Sequence, residues 1–172
     1  MKSWKFLKRK RSLKNKSLSS LTNICYIKTP TNTVACMFGC NHFGARLPVG
    51  TTLVWVKRKD GGFGSFLSDA EIAWMKGGHG VYCFRDTSLM GETLERAHPT
   101  QKPVPLMRWC IERIGDAQTI LDPFCGSGSL LAAAQRRGHF VFGIDLDVEW
   151  VDYASRRLEA DRRGGVGRGH GR

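Results

Sequence analysis

The string Asp122-Pro123-Phe124-Cys125-Gly126-Ser127-Gly128-Ser129 has the residue types of a ligand loop. Its two glycines let backbone approach a bound molecule closely, and a helix that follows would turn its free N–H groups toward polar or anionic atoms. Asp145 stands seventeen residues beyond Gly128. At the end of a strand, an acid there can grip a pair of ribose hydroxyls in a bidentate manner. Taken alone, Asp145 reads better as an acid complementing the dipole of the next helix. Joined to the glycine loop, it reads as a ligand group. Asp147 is near, but strand geometry favours Asp145. A dinucleotide fingerprint would need a third glycine where the chain has Leu131, which counts against that cofactor.

A second string, His98-Pro99-Thr100-Gln101-Lys102-Pro103, holds polar side chains between two prolines. Proline restricts the residue before it to extended backbone, so His98 and Lys102 precede fixed turns and the string presents its polar groups rigidly. By physics alone it is a structured turn. Cys36, Cys40 and His42 resemble part of a metal cluster, but Cys83 is distant and no second tight pair exists, so no metal site is assigned. The six cysteines read as buried, reduced thiols.

Around these strings the elements are legible by period. Residues 104–114 read as a helix, because Leu106, Cys110 and Ile114 recur at every fourth position and Met107 with Ile111 widen the same face. Pro103 is a natural helix start. Next come a strand at 119–121, the glycine loop, a helix at 129–137, a strand at 140–144 and a helix at 149–158. That is a βαβα unit, whose right-handed crossover makes both strands parallel and sets the loop at their carboxyl edge, where ligands bind. Upstream, 34–38 and 51–56 read as strands. Gly77 to Gly80 reads as a breaker before a short strand at 81–84.

Composition bounds the rest. The chain is of single-domain size, with 41% hydrophobic and 10% aromatic residues, enough for a core. The net charge of +12 is uneven: residues 1–59 hold thirteen Lys or Arg and no acid, leaving fourteen bases (27 minus 13) against fifteen acids. Such asymmetry suits a polyanion or a solvated tail. Residues 2–16 have too sparse an apolar pattern for a packed helix, and 161–172 are too rich in Gly and Arg to bury a core. No run of eighteen apolar residues and no signal-peptide core is found, so the chain is expected in the cytoplasm with no membrane partner.

HPTQKP, a helix, ILDPFCGSGS, then GID and a helix, in this order, resemble the β-group DNA amino-methyltransferases of bacteria and their phages. Gly39 to Phe43, Leu53 to Lys57 and the DAEIAW of Asp69 to Trp74 are similar to upstream strings of that family. The resemblance covers about residues 33–160. It implies an α/β fold, a Rossmann-like sheet with helices on both faces and incomplete at the N-terminus. The parts are a basic segment 1–32, a domain 33–160 with halves 33–97 and 98–160, and a tail 161–172.

The resemblance further implies S-adenosylmethionine as cofactor. Thr100, Gln101, Lys102, Asp122, Phe124, Gly126, Ser127 and Gly128 would hold its methionine side and Asp145 its ribose. Double-stranded DNA would be the partner, with Lys57, Arg58 and Lys59 as phosphate contacts by analogy with DNA-reading loops. The family transfers a methyl group to the exocyclic amine of a flipped adenine or cytosine. Its catalytic tetrapeptide is an acid, Ser or Asn, then two prolines and an aromatic. This sequence has no Pro-Pro. No catalytic residue is therefore assigned, and the expectation is weak or absent transfer unless a second chain supplies the element. The rival reading is a non-catalytic binder of cofactor and nucleic acid.

Overall fold

The computed structural model describes residues 5–8, 24–30, 32–42, 44–59, 63–64, 68–87, 97 and 101–165. His98, Pro99, Thr100 and the tail 166–172 lie outside them, as do most of the basic residues between 1 and 23.

The described elements are strands β1 (Lys5–Lys8), β2 (Ile24–Lys28), β3 (Thr33–Phe38), β4 (Gly50–Val56), β5 (Ala70–Arg85), β6 (Thr119–Asp122) and β7 (Phe140–Asp145), with helices α1 (Val104–Ile114), α2 (Ser129–Arg136) and α3 (Val148–Gly165). They form one seven-stranded sheet in the order β1-β7-β6-β2-β3-β5-β4.

The register shows how β5 fits. Thr51 opposes Met75 and Val56 opposes Ala70, so its first arm runs antiparallel to β4. Thr52 also opposes Val81 and Val56 also opposes Arg85, so its second arm runs parallel to β4. The strand thus folds back at the glycine-rich turn 77–80 and brackets β4 on both sides. The sequence predicts the breaker and the short strand at 81–84; the first arm is the addition.

β6 and β7 pair parallel, with Ile120 opposite Val141, as the βαβα reading predicts. On the other side of β6 lies β2, antiparallel, with Ile27 opposite Ile120. β3 then pairs antiparallel with β2, and Cys25 opposes Cys36. β1 runs parallel to β7. Both β1 and β2 fall in the stretch 1–32 that the sequence reads as a basic segment outside the domain. Open backbone at a sheet edge pairs with any extended chain of suitable geometry, and a four- or five-residue strand is too short to announce itself by period. α3 likewise continues past residue 160 to Gly165.

One face of the sheet carries Cys25, Ile27, Cys36, Phe38, Leu53, Trp55, Ala73, Met75, Ile120 and Val141, all buried in one core with Leu106 and Ile111 of α1, Leu131 of α2 and Leu158 of α3. The three described helices therefore share this face, where the resemblance implies helices on both. The reason is topological. A helix crosses between the parallel neighbours β6 and β7, whereas β2 with β3, and β4 with the first arm of β5, are consecutive antiparallel pairs that need no helix between them. Along β4, Thr51, Leu53 and Trp55 are buried and alternate with partly exposed residues, the signature of a strand covered on one side.

Candidate functional site

β6 ends in Asp122, whose side chain is 5% exposed. Its Oδ1 accepts the Phe124 backbone N–H at 3.2 Å. Gly126 and Gly128 take φ of 47° and 73°, a region that disfavours side chains, and they turn the chain from the strand into α2. Gly128 has a second reason to be glycine: a Cβ there would lie 2.9 Å from the Cβ of Ala154 on α3. The loop is also pinned by backbone, with Cys125 N–H donating to Ile144 O at 2.9 Å and Gly128 N–H to Cys125 O at 2.8 Å. Phe124 is the exposed apolar residue of the loop, at 40%.

Asp145 closes this constellation from β7. Its Oδ2 accepts the Gly126 N–H at 2.8 Å and its Oδ1 the Asp147 N–H at 3.0 Å. Each carboxylate oxygen retains a second lone pair for a ligand. The capping role falls to Asp147, whose Oδ1 accepts the Glu149 N–H at 2.9 Å in the first turn of α3. The sequence favours Asp145 over Asp147 for the ligand role, and the structure gives the N-terminal turn of α3 to Asp147.

Arg157 of α3 braces the loop from the other side, its Nη1 donating to Ser127 O at 3.0 Å and to Ser129 Oγ at 3.3 Å. Burial holds its guanidinium below its ordinary pKa, against the favourable charges of Tyr153 and Asp161. Sequence reading missed Arg157, which sits at a helical position like any solvated arginine.

Burial pushes the Asp122 carboxyl up to about 7, and the nearby Asp145 adds to this while the Phe124 N–H opposes it. Burial, then Asp122 and Asp145, raises the Cys125 thiol well above its ordinary value, which keeps it protonated and inert. A buried carboxyl of this kind gains from a cationic ligand, which would restore its charge at neutral pH.

A second cluster lies at the same carboxyl edge, where β3 and β4 end. Lys102 Nζ is 2.9 Å from Glu71 Oε2, and Lys57 Nζ is 3.3 Å from Glu71 Oε1. The Lys102 ammonium also lies over the rings of Phe38 and Trp55, 5.7 and 5.8 Å from their centroids. Burial alone would raise the Glu71 carboxyl, but Lys102 and then Lys57 outweigh it and hold the carboxyl below its ordinary value. Beside Lys102, the Gln101 Oε1 is buried and accepts no hydrogen bond among the described residues.

Of the residues read as DNA contacts, Lys57 is tied to Glu71, Arg58 Nε lies 3.5 Å from Asp69, and Lys59 is exposed. Asp122, Phe124, Gly126, Ser127, Gly128 and Asp145 are thus brought together, and Gln101 with Lys102 form the second cluster. Thr100 lies outside the described residues. Glu71 was not singled out as a site residue: it sits in the quoted DAEIAW string, but its lysine partners are remote in sequence. Cys36 and Cys40 are buried thiols and His42 is exposed.

Comparison with known proteins bears on this arrangement. Residues 76–156 match the DNA methylase family. Over 69 residues the chain is 45% identical to the type II methyltransferase M2.DpnII of Streptococcus pneumoniae, covering 37% of this chain and 24% of that protein. Over 70 residues it is 34% identical to the type II methyltransferase M.HpaI of Haemophilus parainfluenzae, covering 40% and 22%. The match thus spans about a quarter of each relative. The crystal structure of an M1.HpyAVI–SAM complex superposes with a TM-score of 0.55 at 22% identity, covering 72% of both chains, and shows the shared fold.

Proposed function

We propose, from the match of residues 76–156 to the DNA methylase family, that this chain binds S-adenosylmethionine at the carboxyl edge of β6 and β7. The observation that carries the reading is the closed constellation of Asp122, the glycine loop and Asp145, with Gly126 N–H bonded to the Asp145 carboxylate at 2.8 Å.

The residues fit the group. Asp122 offers a desolvated carboxyl to an ammonium, and Gln101 Oε1 is a buried acceptor with no donor among the described residues. Asp145 retains lone pairs for ribose hydroxyls, and Gly126 with Gly128 leaves room for a ligand to approach backbone. Thr100, Lys102, Phe124 and Ser127 complete the assignment on the family's pattern. When bound, the cofactor supplies an electrophilic methyl group.

The reaction proposed for the family fold is methyl transfer to the exocyclic amine of adenine or cytosine in double-stranded DNA, inside a prokaryotic or phage-infected cytoplasm. No described helix is long and apolar enough to cross a membrane. Lys57, Arg58 and Lys59 follow the end of β4 at the same edge. Since Lys57 and Arg58 already face Glu71 and Asp69, Lys59 carries the larger phosphate role among the three.

A second reading, cofactor and nucleic-acid binding without transfer, is favoured by one observation: the sequence has no Pro-Pro, so the tetrapeptide that would orient the amine and stack on the base is not recognisable. Under this reading a second chain would supply that element. The deciding experiment is tritium transfer from labelled S-adenosylmethionine to unmethylated DNA by the purified chain, with Asp145→Ala as background. Transfer above background supports a complete enzyme; none, with cofactor bound, supports the binder.

A further inference from the structure

We infer that Glu71 is a positioning residue for the cofactor string, acting through Lys102; the inference rests on the cofactor reading above. Glu71 enters at the start of β5, opposite Trp55 and hence on the helix-covered face of the sheet. Its two carboxylate oxygens are divided between two cations, Oε2 with Lys102 at 2.9 Å and Oε1 with Lys57 at 3.3 Å. It therefore spans from the end of β4 to the segment that leads into α1.

That segment needs such a tie. Residues 101–103 have no ladder or helical hydrogen-bond pattern to fix their path, and α1 begins only at Val104, with Met107 N–H donating to Pro103 O at 3.2 Å. Yet the Lys102 side chain is only 10% exposed. A lysine buried so far against aromatic rings needs a carboxylate partner to remain charged and in place, because desolvation otherwise favours a path back to water. Two ammonium groups also share this corner, and without the intervening carboxylate they repel each other. Removing the charge of Glu71 takes away one of the contacts that hold the Lys102 ammonium and lets it shift outward, and the neighbouring Gln101, with its buried Oε1, moves with it.

The consequence is that cofactor affinity depends on a carboxylate that does not itself reach the glycine loop. Glu71→Gln keeps the shape and removes the charge, and Glu71→Asp keeps the charge at shorter reach. Two measurements are made on the full chain. The rate of Lys102 acetylation by acetic anhydride, read by mass spectrometry, reports the position of the ammonium without cofactor. Calorimetric titration with S-adenosylmethionine reports the site.

Glu71→Gln is expected to speed Lys102 acetylation at least fivefold and to weaken cofactor binding about tenfold, in a chain that still folds but unfolds at a lower denaturant concentration because its two lysines lose their shared carboxylate. Glu71→Asp should recover most of both losses. Lys102→Met in the Glu71→Gln background should add little further loss, since the two act as one unit. Unchanged acetylation in a folded Glu71→Gln protein overturns the positioning role. Faster acetylation with undiminished binding overturns its consequence for the cofactor. A wild-type chain that binds no S-adenosylmethionine removes the cofactor reading, and the proposed role of Glu71 falls with it, whatever the acetylation rates.

Discussion

Asp145 accepts the backbone N–H of Gly126 at 2.8 Å, so the acid that ends β7 holds in place the loop that follows β6. The same carboxylate that faces the proposed ligand is thus part of the loop's own support. Binding and preorganisation cannot be separated at this residue by a single truncation.

Asp145→Ala is expected to weaken S-adenosylmethionine binding by at least about 1.5 kcal/mol, the scale of one charge-assisted hydrogen bond. Asp145→Asn keeps one acceptor and should lose less. Isothermal titration of the two variants checks the order, and an unchanged affinity in Asp145→Ala would remove the residue from the site.

Asp122 makes stability depend on pH in a direction opposite to that of a salt-bridged acid. Its carboxyl is raised by burial from 3.8 to about 7, so the folded protein holds this proton more tightly than the unfolded chain. The stabilising contribution is complete below pH 3.8 and is lost as pH rises through about 7. Thermal melts between pH 4 and 8 should show this loss, and Asp122→Asn should flatten it. Cofactor binding should strengthen over the same window, with a proton released below its upper end, because the ligand's ammonium pairs with the ionised form. Calorimetry in two buffers of different ionisation enthalpy reads that proton.

Gly128→Ala places a methyl group 2.9 Å from the Cβ of Ala154 on a backbone of φ 73°. Crowding and left-handed strain together are expected to cost about 2 kcal/mol of stability. Urea denaturation measures it. A companion Ala154→Gly change should return part of the loss by removing the opposing Cβ; if it returns none, the cost is backbone strain alone.

Lys59→Ala should lower DNA affinity without sequence preference and reduce the slope of log K against log salt by about 0.9, as expected for one phosphate contact. Fluorescence anisotropy across a salt series gives the slope. An unaltered slope would place the phosphate contacts elsewhere.

The placing of the glycine loop beside Asp145 was legible in the sequence because a βαβα unit brings the ends of two adjacent strands together, and a short window contains both. The helix at 104–114 was legible for a similar reason, its apolar face repeating at every fourth residue. Glu71 was not, because its meaning lies in ion pairs with Lys57 and Lys102, which come from two other elements and leave no mark on the local pattern. β2 was illegible for another reason: its place beside β6 is fixed by backbone pairing together with the buried Cys25 and Ile27, and five residues are too few to show a period. The hydrogen bond from the Glu149 N–H to Asp147 was not legible, because the sequence offered Asp145 for that helix start as readily.

The insertion of β2 between β6 and β3 also sets a schedule for the growing chain. The pairs of β4 with β5, and of β6 with β7, each close within a short stretch of sequence. Tyr26 and Leu121, which join these two pieces, are 95 residues apart. During synthesis the β2–β3 hairpin is complete long before β6 emerges, so one of its edges and the buried side of Ile27 must wait without their final neighbours. The β2–β3 hairpin is therefore available early, while its junction with β6 is among the last to be closed.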